Sequence, residues 1–158
     1  MEHEGRAGLE KDIRKPDTPY IVKMPFLCDY LDEIMRSRIC AIDHAFVPIR
    51  DLFSAAESRR EVERKAPPGG IPGKIIGGLW DTLDPARQET VLMRKFYDLL
   101  YALAVWNIPL TLLYFPRLVQ EPQYLYGKLR PVFQHLQFET FLECFGRTAQ
   151  PQFVHVYR

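Results

Sequence analysis

Arg50 and Ser58, eight positions apart, are the residues whose types and spacing point most directly to chemistry. They lie in Val47-Pro48-Ile49-Arg50-Asp51-Leu52-Phe53-Ser54-Ala55-Ala56-Glu57-Ser58-Arg59-Arg60, which reads as the end of a strand running into a helix. Asp51 is a good N-cap for that helix. Such a junction gathers unpaired N–H groups and the positive end of a helix dipole, and Arg50 adds a permanently charged fork of donors. Phosphate or sulfate is the ligand that this chemistry suits. Ser54 shares a helix side with Ser58 at i and i+4, so it offers either a second hydroxyl to an anion or a small buried contact. With Asp51 as cap, Ser58 lies about 10 Å along the helix at 1.5 Å per residue. An anion touching Ser58 is therefore out of reach of the helix N–H groups. The clamp has to use side chains, with Arg50 leaning along the helix; the plainer alternative is a surface arginine beside a solvated helix.

The elements that must position these residues follow from periodicity. Residues 20–23 read as a short strand closed by Pro25, and residues 26–36 place Phe26, Tyr30, Leu31, Ile34 and Met35 at helical spacing. Residues 42–49 form the second strand and residues 52–64 the second helix. Its charge run, Glu57, Arg59, Arg60, Glu61, Glu63, Arg64 and Lys65, reads as a solvated face. Gly and Pro dominate residues 66–78, so a long loop is expected there, of the kind that serves as a lid or binding loop. Residues 85–107 form the longest helix, with Val91, Leu92, Phe96, Leu99, Leu100 and Leu103 as its apolar stripe; Tyr97 and Tyr101 are expected to pack. Residues 110–115 are nearly continuously apolar, as in a strand covered on both faces, and Pro116 ends them. A helix follows from Pro122, a shorter one spans residues 138–145 and stops at Gly146, and residues 152–157 read as an edge strand. Strands alternating with helices predict a parallel α/β sheet.

The chain has 158 residues, room for one domain and a sizeable core. Residues 1–19, rich in charge with Gly and Pro, read as a flexible N-terminal arm, leaving residues 20–158 as a single domain. Lys and Arg number 21 against 20 Asp and Glu, so no basic field supports nucleic-acid binding and any anion site must be local. Cys28, Cys40 and Cys144 are odd in number and widely spaced, which favours a reducing compartment and offers no metal-ligand spacing. The first fifteen residues lack the apolar stretch of a secretory signal. The longest apolar region, residues 99–115, is broken at Trp106-Asn107-Ile108-Pro109 and falls short of a membrane span. A cytoplasmic protein without membrane contact is expected.

The segment from Val47 to Arg60 resembles the 3′-phosphate-binding segment of sulfotransferases, in which an Arg after a strand and a Ser eight residues later hold the cofactor's 3′-phosphate. Arg50 and Ser58 match in kind and spacing. Tyr20-Ile21-Val22-Lys23-Met24-Pro25 is similar to the preceding strand of the bacterial members, which carries a Lys followed shortly by Pro. Ile108-Pro109-Leu110-Thr111-Leu112-Leu113-Tyr114-Phe115-Pro116-Arg117-Leu118-Val119-Gln120-Glu121-Pro122 is similar to a later strand and the segment leading into a helix. The resemblance runs from residue 20 to residue 133. It implies an α/β, three-layer P-loop-like fold with a short parallel sheet flanked by helices. It also implies 3′-phosphoadenosine-5′-phosphosulfate as co-substrate, bound by Arg50 and Ser58; Ser54 and Lys23 are weaker candidates beside them, Lys23 reading equally as a solvated strand end.

The chain departs from the family's pattern at its start. Members carry a phosphosulfate-gripping loop rich in Gly, Ser, Thr and a basic residue, and nothing before Tyr20 has that form, so the first βα unit is expected to be missing. Pro68-Gly69-Gly70-Ile71-Pro72-Gly73-Lys74-Ile75 is no substitute, because the first Gly and the closing Ser or Thr of a P-loop are both absent. Two functions stay open. One is sulfuryl transfer to a hydroxyl or amine acceptor, impaired in this short chain. The other is a non-catalytic remnant or interaction module, associating through an exposed sheet edge. His44 is expected to be a packed or edge histidine and not a base, and His135 and His155 to be surface residues.

Overall fold

The computed structural model describes residues 10–67, 71, 75–155 and 157. Six helices and a two-stranded parallel sheet make up its regular structure. In chain order these are α1 (Leu27–Ser37), β1 (Ala45–Ile49), α2 (Leu52–Arg64), α3 (Gln88–Val105), β2 (Leu110–Tyr114), α4 (Arg117–Gln120), α5 (Pro122–Leu129) and α6 (Phe138–Thr148). Single 3₁₀ turns at Pro85–Arg87 and Pro151–Phe153 complete the set. The parallel α/β arrangement expected from the alternation of elements is present.

The two strands pair with Ala45 opposite Leu110 and Ile49 opposite Tyr114. Parallel neighbours need a long crossover, and α2 and α3 supply it. The strand expected over residues 42–49 begins only at Ala45, whose N–H donates to Pro109 O at 2.8 Å. Pro109 has no N–H to carry the ladder further back. At the other end the Phe115 N–H reaches across to Ile49 O at 2.8 Å, which turns the Tyr114 N–H outward; the Tyr124 hydroxyl of α5 accepts it at 2.8 Å. That part of the outer edge is thereby covered.

One face of this ribbon holds the core. Leu31 of α1, Ala45 and Val47 of β1, Ala102 and Leu103 of α3, and Ile108 are buried together, with Leu27, Leu99 and Leu112 packed against them. Leu31 and Leu103 are fully enclosed. A smaller aromatic group, Tyr126 with Phe138, Phe141 and Phe145, joins α5 to α6. Between α2 and α3, Arg60 pairs with Glu57 and Glu89 and donates to Pro85 O at 2.8 Å, so the charged face of α2 is in part an interhelical clamp.

Several expectations are corrected. Residues 20–23 are not a strand among the described residues: Lys23 makes an isolated bridge to Glu10, and Tyr20 and Ile21 are exposed. Residues 10–19 fold back onto α1, with the Arg14 guanidinium 3.9 Å from the Tyr30 ring centroid; residues 1–9 lie outside the described residues. Tyr97 and Tyr101 do not pack into the core. They stack on one another in solvent, 65% and 62% exposed, beside Met93 and Val105 on the outer side of α3. α6 runs through Gly146 to Thr148, since a glycine inside a helix costs only about 1 kcal/mol relative to alanine. The segment after Pro151–Phe153 is not an edge strand among the described residues; its carbonyls turn to α2 instead. Of the expected 66–78 loop, residues 68–70 and 72–74 lie outside the described residues, and so does the glycine-rich stretch that fails as a P-loop.

The end of that loop is pinned. Gly78 O accepts from Arg59 Nη1 at 2.9 Å, and the Leu79 N–H donates to Glu63 Oε2 at 3.1 Å. A Cβ on Gly78 would sit 2.2 Å from that carboxylate oxygen and would push the Glu63 side chain aside. Trp80 then donates its N–H to Gln88 Oε1 at 2.8 Å, with Arg59 and Lys95 against its ring.

Leu103→Ala is expected to cost about 2–5 kcal/mol in urea unfolding, the range for a truncated, fully buried leucine. Tyr97→Ala should stay within about 0.5 kcal/mol, as for an exposed position. Equal losses at the two sites would mean that the inner and outer faces of α3 are wrongly assigned.

Candidate functional site

The parallel register brings the carboxyl ends of β1 and β2 together, and with them Arg50 and Phe115. Ligands of open α/β sheets sit outside this edge of the strands. Arg50 is half-buried, its guanidinium 4.9 Å from the Phe115 ring centroid and 5.7 Å from that of Tyr157. Its Nη2 donates to the carbonyl oxygen of His155. The fork thus points along α2 toward the segment that carries His155 and Tyr157.

Asp51 caps α2 as expected, accepting the Ser54 N–H at 2.8 Å, and this bond holds its carboxyl below the ordinary range. Ser54 is buried, and its hydroxyl lies 3.5 Å from Tyr157 O, the long end of hydrogen-bond range. Ser54 is thus a small buried contact whose hydroxyl meets a backbone carbonyl. Ser58, one turn further, forms part of the wall of an open hollow of about 390 Å³ together with Val62, Lys65, Ile75, His155 and Tyr157. Glu61, beside this hollow, bonds to Lys65 at 2.9 Å and holds its ammonium above the ordinary value, with a smaller contribution from Tyr157.

Arg50 and Ser54 therefore meet a single stretch of chain, and Ser58 borders the hollow that this stretch also lines. They present donors on one side of α2, and the groups that meet the first two are acceptors, the carbonyl oxygens of His155 and Tyr157. Lys23 is not part of this arrangement: its ammonium pairs with Glu10 at 3.2 Å and its carbonyl accepts from Lys11. His44 is packed on Phe46, ring centroids 4.7 Å apart, and hydrogen-bonds to Thr111 Oγ1 at 2.9 Å. His155 is exposed, as expected of a surface residue.

Phe115, Tyr157 and Lys65 escaped the reading of the sequence as site residues. Phe115 had a signal, since the residue after a second parallel strand must lie beside the residue after the first. Tyr157 had none. Elsewhere, burial raises the Cys28 thiol to about 11, with Asp29 adding to the shift, so it is held as an unreactive thiol at neutral pH. Among the described residues no group of three or more His, Cys, Asp or Glu side chains is placed to hold a metal, and no helix is long and apolar enough to cross a membrane. No protein-family model matches the chain, and no curated protein or solved structure does either.

The cap has a definite pH dependence. Because the folded-state value of Asp51 is lowered, its contribution is present above the unfolded aspartate value of about 3.9 and is lost as pH falls through the folded value. Asp51→Ala should melt below the wild type at neutral pH, and the gap should close in acid, while Asp51→Asn keeps most of the cap. Thermal unfolding followed by circular dichroism between pH 7 and pH 2.5 reads both effects; a gap that does not change with pH would rule out the carboxylate as the cap.

Proposed function

We propose that the chain is a sulfotransferase-like α/β module whose β1–α2 corner binds the 3′-phosphate of 3′-phosphoadenosine-5′-phosphosulfate or of its desulfated product. What carries this reading is the donor set: Arg50 and Ser54 already engage acceptor oxygens outside the carboxyl edge of the parallel strands, and Ser58 flanks the adjoining hollow. A phosphate is an acceptor-only group, and Arg with hydroxyl donors is the chemistry that suits it. The fold is read as a three-layer P-loop-like arrangement, with β1 and β2 as the part of the sheet that serves the nucleotide's 3′ side.

Bound there, the co-substrate would supply the sulfuryl group for transfer to a hydroxyl or amine acceptor. That transfer also needs a base on the acceptor and cations at the bridging oxygens. Lys23 is committed to Glu10, and His44 to Thr111 and Phe46. The module is accordingly read as a binding half-site with transfer impaired. A second reading, a non-catalytic interaction module, draws support from Met93, Tyr97, Tyr101 and Val105, four exposed apolar side chains at four-residue spacing along α3.

Isothermal titration with 3′-phosphoadenosine-5′-phosphate tests the first reading. Binding is expected, and Arg50→Ala should weaken it about tenfold or more, as the loss of a charge-assisted hydrogen bond of about 1.5–3 kcal/mol requires. Sulfate transfer from labelled co-substrate should be at background. Absence of heat with ligand on the order of 1 mM would end the nucleotide reading and leave the interaction module.

A further inference from the structure

Two polar side chains at the start of α2 are met by a distant stretch of the chain. Arg50 donates to His155 O, its guanidinium also lies against the Tyr157 ring, and Ser54 reaches Tyr157 O. These contacts join residues more than a hundred positions apart. Arg50 and Ser54 are four positions apart, and the acceptors that meet them are the carbonyl oxygens of His155 and Tyr157. The next helical turn brings Ser58 to the hollow that His155 and Tyr157 also line.

We infer that the segment carrying His155 and Tyr157 is a docked, releasable occupant of the Arg50–Ser54 face, a built-in competitor that must leave before an anion can take those donors. This rests on the 3′-phosphate reading for the identity of the incoming ligand, but the docking itself does not. The contact is suited to release. It uses backbone carbonyls and one aromatic ring, and His155 is exposed. A doubly charged phosphate outbids two neutral carbonyl oxygens for a guanidinium, because a hydrogen bond to an ionised acceptor is about twice as strong as one to a neutral acceptor.

The full-length chain serves throughout. ¹⁵N relaxation of the Val154, His155 and Tyr157 amides reads docking without any ligand: order parameters near 0.85 are expected in the wild type, falling below about 0.6 in Arg50→Gln. Rigid amides in Arg50→Gln, or mobile ones in the wild type, overturn the docking. Titration with 3′-phosphoadenosine-5′-phosphate then reads the competition. Tyr157→Ala, which removes the ring from Arg50 and leaves every donor in place, should bind about tenfold more tightly than the wild type, and ligand should mobilise the wild-type segment. Equal affinity in the two proteins, with the segment still rigid when ligand is bound, overturns the competition while leaving the 3′-phosphate reading intact. If neither protein binds nucleotide, that reading fails, and the Arg50→Gln relaxation result alone upholds or overturns the docked segment.

Discussion

The pairing of β1 with β2 is the constraint on which the rest of the structure depends. Five residues on each strand, in parallel, cannot be joined by a tight turn, so the chain between them must travel the length of the sheet and back. α2 and α3 make that journey, and they are held to each other by Arg60 with Glu57 and Glu89. Pro109 sets the amino end of the ladder and the Phe115 N–H to Ile49 O bond closes the other. Once that register is set, Arg50 must emerge beside Phe115. The candidate site is thus a by-product of strand pairing, and its arginine is oriented by an aromatic ring that belongs to the other strand.

The core is built against one face of this small sheet, which places unusual weight on α1 and α3. Leu31 and Leu103 meet over Ala45 and Val47, small and medium side chains that let the helices approach closely. With only two strands to cover, α3 cannot bury its whole circumference, and its outer side keeps Met93, Tyr97, Tyr101 and Val105 in water. Polar groups compensate at the rims: Trp106 Nε1 donates to Asp32 Oδ1 at 2.7 Å, tying the end of α3 to α1.

Local signals were legible in the chain and long-range ones were not. The bounds of α2 follow from Asp51 as cap and the charged run that ends it, and α1 differs by a single residue at each end from its 3.6-residue pattern. Pro109 and Pro116 bracket β2 because neither can extend a ladder or a helix across it. The failures share one cause. Residues 20–23 look like a strand, but strandhood needs a neighbour, and among the described residues only the bridge from Lys23 to Glu10 is made. Tyr97 and Tyr101 look like core because aromatic residues usually are, yet the helix turns them away from the face that β1 covers. Within the site, Arg50 and Ser54 were readable from their own junction, whereas their partners are backbone carbonyls, which every residue possesses and no pattern of side chains marks.

Lys95 ties α3 to two other parts of the chain. Burial presses its ammonium toward the neutral form, but Asp29 of α1 and Asp81 of the loop before α3 more than offset this and hold the charge above its ordinary value. A single amine on α3 is thereby shared by two carboxylates from separate parts of the chain, close to the face of Trp80. If the two carboxylates lift away, the amine is left charged in a poorly hydrated place. The first helix, the Trp80 corner and the long helix should therefore open as one unit in amide exchange, with similar protection in all three, whereas α6, which has no such tie, is free to exchange on its own.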